Sequence, residues 1–334
     1  MRFFPIILLL SLLTLAGCGG CDDKKPSSTK VPKPARHVEV PDFNADTAFA
    51  YIEKQLSFGP RVPNSPEHAR AAQYLSSELG RYADTTYMQT GSVRAFNGKS
   101  LNLKNIIGIF GPEKKRKILL CAHWDTRPFA DQDADSLFNE PIPGANDGAS
   151  GVAVLLEMAR HFHEKQPDVG VVMIFFDAED YGKPDQIPGP QTNSYALGSQ
   201  YWARSVDKSR YIADYGILLD MVGGSDARFF REKYSMDYAP SIVKKVWRTA
   251  SQLGHNGYFI SLNGGGVVDD HYYINTLAQI PTINIVDFDN SRDKGFNDHW
   301  HTLDDDIENI DRNTLKAVGQ TVIKVVYEEE GLGV

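Results

Sequence analysis

Cysteine is scarce in this chain. Only three occur among 334 residues, and two of them, Cys18 and Cys21, fall close together near the N-terminus. A disulfide-stabilised fold needs several paired cysteines, so we expect no disulfide framework. Cys121 lies inside an apolar run, where we expect a small core residue. With 42% hydrophobic residues, the chain has enough apolar side chains to bury a large core instead.

Several functional patterns are also missing. There is no basic patch with interleaved aromatic residues, and the formal net charge is -8, so nucleic-acid binding is not expected. Neither a serine nucleophile elbow nor a Walker-type or dinucleotide-binding glycine pattern occurs. The three glycines at 264–266 have too little context to be a phosphate loop.

The longest apolar run at the N-terminus, residues 3–16, is too short to span a bilayer comfortably and is typical of a secretory signal peptide. It ends in LAGC at 15–18, which resembles the bacterial lipoprotein box. The resemblance implies that Cys18 is lipidated; the alternative is an ordinary signal peptide cleaved nearby. Either way we expect export to the bacterial cell envelope or periplasm, with the lipid as the only membrane contact.

The chain then divides by composition. Residues 19–41 are rich in Lys, Pro, Ser and Asp and have little to bury, which is typical of a flexible tether. We therefore predict a signal peptide at 1–17, a lipidated tether at 18–41 and one globular catalytic domain at 42–334.

Strand and helix patterns alternate along that domain. Apolar runs predict strands at 85–90, 103–110, 117–122, 169–176, 215–220 and 280–286, and amphipathic patterns predict helices at 46–56, 67–80, 151–166, 194–205, 239–254, 270–277 and 313–329. This alternation predicts an α/β fold with a central mixed, mostly parallel sheet and helices on both faces. Ligands in such folds bind beyond the carboxyl ends of the strands.

Polar residues stand where apolar runs end. Two histidines and three carboxylates in such positions are the ligand types of a hydrolase-type zinc site. They are His123, Asp147, Asp180, Asp220 and His301.

Each of these positions also has a structural interpretation. Asp125 is spaced to orient His123, but a lone histidine after a strand is often structural. Asp147 precedes a helix that it could cap. Of Glu179 and Asp180, one could ligate a metal while the other acts as a base, unless both lie in a solvated acidic loop.

Spacing alone leaves further choices open. Asp220 ends a buried strand and therefore needs a partner. Asp269, with its neighbours at 270 and 271, forms another polar cluster. His299 and His301 would share a face of an extended segment, so spacing does not choose between them.

Together these segments resemble the zinc aminopeptidase and glutaminyl cyclase superfamily over about residues 45–330. Within it the chain is similar to bacterial glutaminyl-peptide cyclotransferases of the animal type. The similarity rests on PRVPNSP at 60–66, AHWDTRP at 122–128, and WHT at 300–302 followed by two aspartates. The fold it implies is that of the zinc aminopeptidases.

The resemblance implies one zinc ion per chain, held by Asp147, Asp180 and His301. It matches Glu179 to the general base and Asp220 and Asp269 to a proton and hydrogen-bond network. Trp300 matches an aromatic wall of the substrate pocket, and His123 is expected beside the substrate.

The chain departs from the animal pattern at two places. Asp180 stands where animal cyclases have Glu, so this ligand is one methylene shorter. A second pocket tryptophan has no counterpart, because the sequence continues YGKP at 181–184. The opposite wall of the pocket is therefore left open.

The implied reaction converts an N-terminal glutamine of a peptide or protein to pyroglutamate and releases ammonia. The main alternative is an exported di-zinc aminopeptidase, which would use all five strand-end residues as ligands. The second alternative is a lipoprotein that keeps the fold as a binding module without activity.

Overall fold

The computed structural model describes residues 38–190, 193–206 and 213–331. The compact unit begins at Val38, and the half-buried side chains of Val38 and Val40 pack against its core. The predicted signal peptide, Cys18 and most of the predicted tether lie outside the described residues. Within the described part of the chain, no helix is both long enough and apolar enough to cross a membrane.

The strands form one large and one small sheet. Their bounds are Thr85–Arg94 (β1), Ser100–Phe110 (β2), Lys117–His123 (β3), Gly170–Phe176 (β4), Tyr215–Asp220 (β5), Phe229–Arg231 (β6), Phe259–Asn263 (β7) and Thr282–Val286 (β8). The large sheet has the order β1-β2-β4-β3-β5-β8, and β6 pairs with β7 in the small one. Strands β4, β3, β5 and β8 run parallel, whereas β1 and β2 are antiparallel. The predicted mixed, mostly parallel sheet is confirmed.

The α-helices connect these strands. They are Ala45–Leu56 (α1), Pro66–Gly80 (α2), Ala149–Glu164 (α3), Leu197–Ser205 (α4), Lys233–Tyr238 (α5), Pro240–Gln252 (α6), Asp270–Tyr273 (α7) and Arg312–Tyr327 (α8). Helix α2 shows why they begin where they do. The Ser65 side chain accepts the His68 N–H at 3.0 Å, and Pro66 occupies the first turn, where its missing N–H costs nothing.

Both faces of the sheet are buried. Successive side chains of a strand point to opposite faces, so Leu120 and Cys121 of β3 enter two different apolar clusters. The Leu120 cluster contains Val152 of α3, and the Cys121 cluster contains Trp202 of α4. Cys121 is a free, buried core residue, as predicted. Helices therefore cover both faces, which is why the central strands β3 and β4 are apolar in their interiors.

Most predicted helices agree with the structure to within two residues at each end, but two of them differ more. The helix predicted at 194–205 begins only at Leu197, because Asn193 and Ala196 have φ values of 51° and 54° and break the helical backbone. The helix predicted at 270–277 divides into α7 and a π-helical turn at Ile274–Ala278. The small sheet β6–β7 was not predicted, since its strands are short and partly exposed.

Candidate metal centre

The predicted site residues meet at one edge of the large sheet. His123 ends β3, Asp220 ends β5, and the Glu179–Asp180 pair follows β4. Because these strands are parallel, their carboxyl ends lie side by side. A cavity of about 630 Å³ opens at this edge. Its lining includes Asp147, Glu179, Asp180, Asp220, Asp269, Trp300 and His301.

His123 is the predicted site residue that does not line this cavity. It is 1% exposed and lies behind two carboxylates, with Nε2 at 3.0 Å from Asp147 Oδ1 and 3.2 Å from Asp220 Oδ1. We therefore revise its role from substrate contact to support for Asp147 and Asp220.

A rigid loop presents Asp147. The Asp305 carboxylate accepts the backbone N–H of Asp147 at 3.0 Å, and the buried Arg61 guanidinium donates to the Gly144 carbonyl at 2.7 Å. Gly144 has a φ of 66°, in the region that favours glycine. Helix α3 takes Gly148 as its N-cap, without a side-chain capping bond. The interpretation of Asp147 as a helix cap is therefore wrong, and its carboxylate faces the cavity.

A tight turn after β4 presents the paired acids. The Asp125 carboxylate accepts the backbone N–H of Glu179 at 3.0 Å and of Asp180 at 3.2 Å. Asp125 is 3.6 Å from His123 Nδ1, so its short contacts go to this turn rather than to the imidazole. Glu179 and Asp180 are 8% and 1% exposed. They do not form a solvated acidic loop.

Two groups of ligand-type atoms share Asp147. The His123 cluster comprises His123, Asp147 and Asp220, and the His301 cluster comprises Asp147, Asp180 and His301. In the His301 cluster, the imidazole Nε2 lies 3.3 Å from Asp180 Oδ1 and 3.6 Å from Asp147 Oδ2. In the His123 cluster the corresponding distances are shorter, and His123 Nε2 is hydrogen-bonded to Asp220 Oδ1.

The His301 cluster fits a zinc ion. Zinc bonds of about 2.0–2.2 Å in a tetrahedron place neighbouring donor atoms about 3.3–3.6 Å apart. The separations in the His301 cluster match this spacing. In addition, Asp180 Oδ2 is buried and has no hydrogen-bond partner among the described residues. A buried carboxylate oxygen without a donor is costly unless a cation satisfies it.

Arg127 and Asp131 support this cluster from outside the cavity. Asp131 Oδ1 lies 3.1 Å from His301 Nδ1, and Arg127 donates to both Asp131 oxygens at 2.6 and 2.8 Å. Arg127 also donates to the Asp180 carbonyl at 3.1 Å. A carboxylate behind a metal-binding histidine fixes its orientation. His299 is half-buried and belongs to neither cluster.

The three remaining carboxylates lie where burial disfavours negative charge. Burial raises the pKa of Glu179 well above its usual value, and the charge of Asp269 adds to the effect. Burial, followed by the charge of Asp220, raises the pKa of Asp269 to about 7. The pKa of Asp220 is raised by burial too. A carboxyl group with a pKa of about 7, as in Asp269, can exchange protons near neutral pH.

Trp300 forms an aromatic wall beside His301. Its ring stacks on His301 at 3.7 Å between centroids and on Phe296 at 4.3 Å, and Phe296 contacts Phe288 at 4.9 Å. The three aromatic side chains line the cavity. Sequence reasoning identified Trp300 only.

Other residues of the site were also missed. Tyr195 lines the cavity from one segment, and Val267 and Tyr272 line it from another segment about 70 residues further along the chain. For Arg127 and Asp131 the sequence does contain a signal. An Arg four residues before an Asp is spaced to form an ion pair with it, as these two residues do.

Comparison with known proteins identifies the class. The model of Peptidase family M28 matches residues 105–326, more than half of the chain, and the chain belongs to this family. This agrees with the superfamily resemblance seen in the sequence.

Particular relatives are more specific. The structure of Bacteroides thetaiotaomicron glutaminyl cyclase bound to N-acetylhistamine is 48% identical, covers 87% of this chain and 100% of that chain, and superimposes with a TM-score of 0.85. Bovine glutaminyl-peptide cyclotransferase is 25% identical over 307 residues, 80% of this chain and 78% of that protein. Aminopeptidase YwaD of Bacillus subtilis is 30% identical over 246 residues, 72% of this chain but 47% of that protein.

Proposed function

We propose that this chain is a glutaminyl-peptide cyclotransferase, an enzyme that converts the N-terminal glutamine of peptides and proteins to pyroglutamate and releases ammonia. One observation carries the proposal beyond family membership. In the His123 cluster, His123 Nε2 is hydrogen-bonded to Asp220. In the His301 cluster, the ligand atoms have zinc-like spacing and Asp180 Oδ2 has no hydrogen-bond partner among the described residues. That asymmetry favours one metal ion over two.

Asp147, Asp180 and His301 would hold a single zinc ion. Bound there, zinc would supply Lewis-acid polarisation of the glutamine side-chain amide. The shorter Asp180 side chain is placed for this role by the turn that Asp125 and Arg127 fix. No water molecule has to be activated, because the nucleophile belongs to the substrate itself.

Glu179 moves the proton in this proposal. The neutral α-amine attacks the side-chain amide carbon, so a new C–N bond closes the five-membered ring. Glu179 takes a proton from the attacking amine and delivers it to the amide nitrogen, which leaves as ammonia when its C–N bond breaks. Burial raises the pKa of Glu179, which makes it a better proton acceptor than an exposed carboxylate.

Asp269 and Asp220 complete the network. Asp269 is held by Asn284, whose side-chain N–H donates to it at 2.6 Å. Asp220 is held by His123 at 3.2 Å. Both carboxylates line the cavity, where they would orient the reacting amine toward the amide carbon. Trp300 packs along the glutamine side chain and helps to exclude water, and the fixed geometry accelerates a cyclisation that is slow in solution.

The aminopeptidase alternative rests on the same five strand-end residues. Asp147 turns one oxygen toward His123 and the other toward His301, the arrangement of a bridging ligand. In that case Glu179 would activate water. Incubation of the zinc-loaded protein with a Gln-initiated peptide separates the two activities. The cyclase releases ammonia and a peptide with pyroglutamate at its N-terminus, whereas release of free glutamine would contradict the proposal.

We further propose that the enzyme is exported and anchored through a lipid on Cys18, with residues 19–41 as its tether. Only the sequence pattern supports this proposal. Expression in a bacterial host with labelled palmitate should label the wild-type protein but not a Cys18→Ala variant. An unlabelled wild-type protein in the soluble periplasmic fraction would contradict the anchor.

A further inference from the structure

The cavity also has an aromatic residue on its Asp180 side, away from Trp300. Tyr181 directly follows the paired acids, but it is 4% exposed and packs in a separate apolar cluster with Leu101 and Leu103. Tyr195 lines the cavity instead. It reaches the site from the far end of the loop that follows β4, so its position in the sequence does not reveal its position in the site.

The ring of Tyr195 occupies a place that only Gly182 permits. A Cβ added at Gly182 would lie 2.2 Å from two atoms of the Tyr195 ring, far inside van der Waals contact. The guanidinium carbon of Arg127 lies 5.4 Å from the centre of the same ring. Arg127 also donates to the Asp180 carbonyl. The ring therefore rests on the scaffold that positions a proposed zinc ligand.

Hydrogen bonds tie the Tyr195 segment to the turn of the paired acids. The Ala196 N–H donates to the Glu179 carbonyl at 2.9 Å, and the Leu197 N–H donates to the Ala178 carbonyl at 3.0 Å. The left-handed backbone of Ala196, at a φ of 54°, turns the chain at this point. Tyr195 is thus held in place before any ligand enters, which reduces the entropy cost of binding.

Tyr195 and Trp300 lie beside different ligands of the His301 cluster. Trp300 stacks on His301, and Tyr195 lies over Gly182 and Arg127 on the Asp180 side. The His301 and Asp180 ligand atoms are only 3.3 Å apart. A side chain that reaches this pair enters a cavity that both aromatic side chains line.

We propose that Tyr195 is a specificity-determining residue that forms the second aromatic wall around the glutamine side chain. It takes the place that the missing tryptophan leaves open, from a different segment of the chain. This assignment rests on the proposed function. Because the ring contacts the substrate before and during the reaction alike, its loss raises KM more than it lowers kcat.

A double-mutant cycle between Gly182 and Tyr195 tests the assignment. Tyr195→Ala should raise KM for a Gln-initiated peptide by about tenfold, the loss expected when one aromatic contact is removed from a pocket. Tyr195→Phe keeps the ring and should recover most of that loss. Gly182→Ala should raise KM as well, because its new methyl group displaces the ring.

The decisive comparison is the double variant. In the Tyr195→Ala background the added methyl group meets no ring, so Gly182→Ala should have no further effect. Zinc content should stay the same in all variants, and Tyr238→Ala, an exposed tyrosine outside the cavity, serves as the matched control. An unchanged KM in Tyr195→Ala, or a Gly182→Ala defect that persists in the double variant, would overturn the assignment.

A binding measurement separates this assignment from the proposed function. Calorimetric titration of the zinc-loaded protein with N-acetylhistamine reports on the pocket without turnover. Weaker binding to Tyr195→Ala than to wild type supports Tyr195 as a pocket wall. This holds even if the wild-type protein does not cyclise glutamine, a result that would refute only the proposed function. Equal binding to both proteins refutes the wall.

Discussion

The His123 cluster and the His301 cluster share Asp147 but differ in how their polar atoms are paired. His123 Nε2 is hydrogen-bonded to Asp220, and its contacts with both carboxylates are at hydrogen-bonding distance. The His301 atoms are spaced more widely, and Asp180 keeps a buried oxygen without a donor. Each half keeps a buried atom without a hydrogen-bond partner among the described residues, His123 Nδ1 in one and Asp180 Oδ2 in the other. Only the second is a carboxylate oxygen in a group of ligand atoms with zinc-like spacing.

This difference shows how one arrangement of residues can support two chemistries. The same five residues would bind two metal ions if His123 and Asp220 released each other, and one if they stay bonded. The two histidines also differ in their carboxylate neighbours. Asp131, itself bound by Arg127, contacts His301 Nδ1. Asp125 lies near His123, but its short hydrogen bonds accept from the backbone of the Glu179 turn. The His123 cluster and the His301 cluster can therefore be tested by separate substitutions.

The largest expected effect separates the two histidines. His301→Ala should lose tightly bound zinc and all measurable cyclase activity, because a three-residue site loses one ligand. His123→Ala, the matched variant in the other cluster, should keep its zinc. Zinc per chain after dialysis, measured by mass spectrometry, checks both. Loss of zinc from both variants in equal measure would mean that the halves are equivalent.

The next prediction concerns Glu179, the proposed proton acceptor and donor. Glu179→Gln keeps the size of the side chain but cannot accept a proton, so kcat should fall by about 10²–10⁴-fold. Zinc content and thermal unfolding should match the wild type, since the metal set does not include Glu179. Steady-state kinetics with a Gln-initiated peptide measures the loss. Retained turnover would remove Glu179 from the mechanism.

A smaller effect tests the support behind His301. Asp131→Asn leaves the shape of the residue but removes the charge beside the imidazole Nδ1 and the partner of Arg127. Zinc affinity should fall by about 10–100-fold, the usual result of removing a carboxylate behind a metal-binding histidine. Competition with a zinc chelator measures it. Wild-type affinity would show that this half gains nothing from Asp131.

The smallest effect lies outside both halves. Ser65→Ala removes the side chain that caps α2, so the free energy of unfolding should fall by about 1 kcal/mol. Zinc content and KM should not change, because Ser65 does not line the cavity that holds the site. Chemical denaturation and kinetics on one preparation check this together. A change in zinc affinity would show that the site is not insulated from this helix.

The sequence predicts the fold well because its signals are local. A short all-apolar run such as β4 is typical of a strand buried on both faces, and the helix starting at Pro66 carries its own capping signal. The helix predicted at 194 begins late because a positive φ at Ala196 depends on the loop that it closes. The short β6 and β7 strands have no alternating pattern to detect.

The site could be predicted only in part, for a related reason. His123, Asp180 and Asp220 end or follow apolar strands, so their meeting at one edge follows from a parallel sheet. The walls and supports depend on loops whose path no periodic pattern encodes. The Tyr195 ring packs against Gly182, where a larger side chain would displace it. Asp131 contacts His301, although the two residues are far apart in the sequence.

The number of zinc ions that the wild-type protein retains shows whether the His301 cluster alone, or both clusters, bind a metal ion. The purified chain, loaded with zinc and dialysed, should retain one ion per chain with full cyclase activity, held by Asp147, Asp180 and His301. Two tightly bound ions per chain would contradict the inequality of the two clusters. That result would favour the aminopeptidase instead.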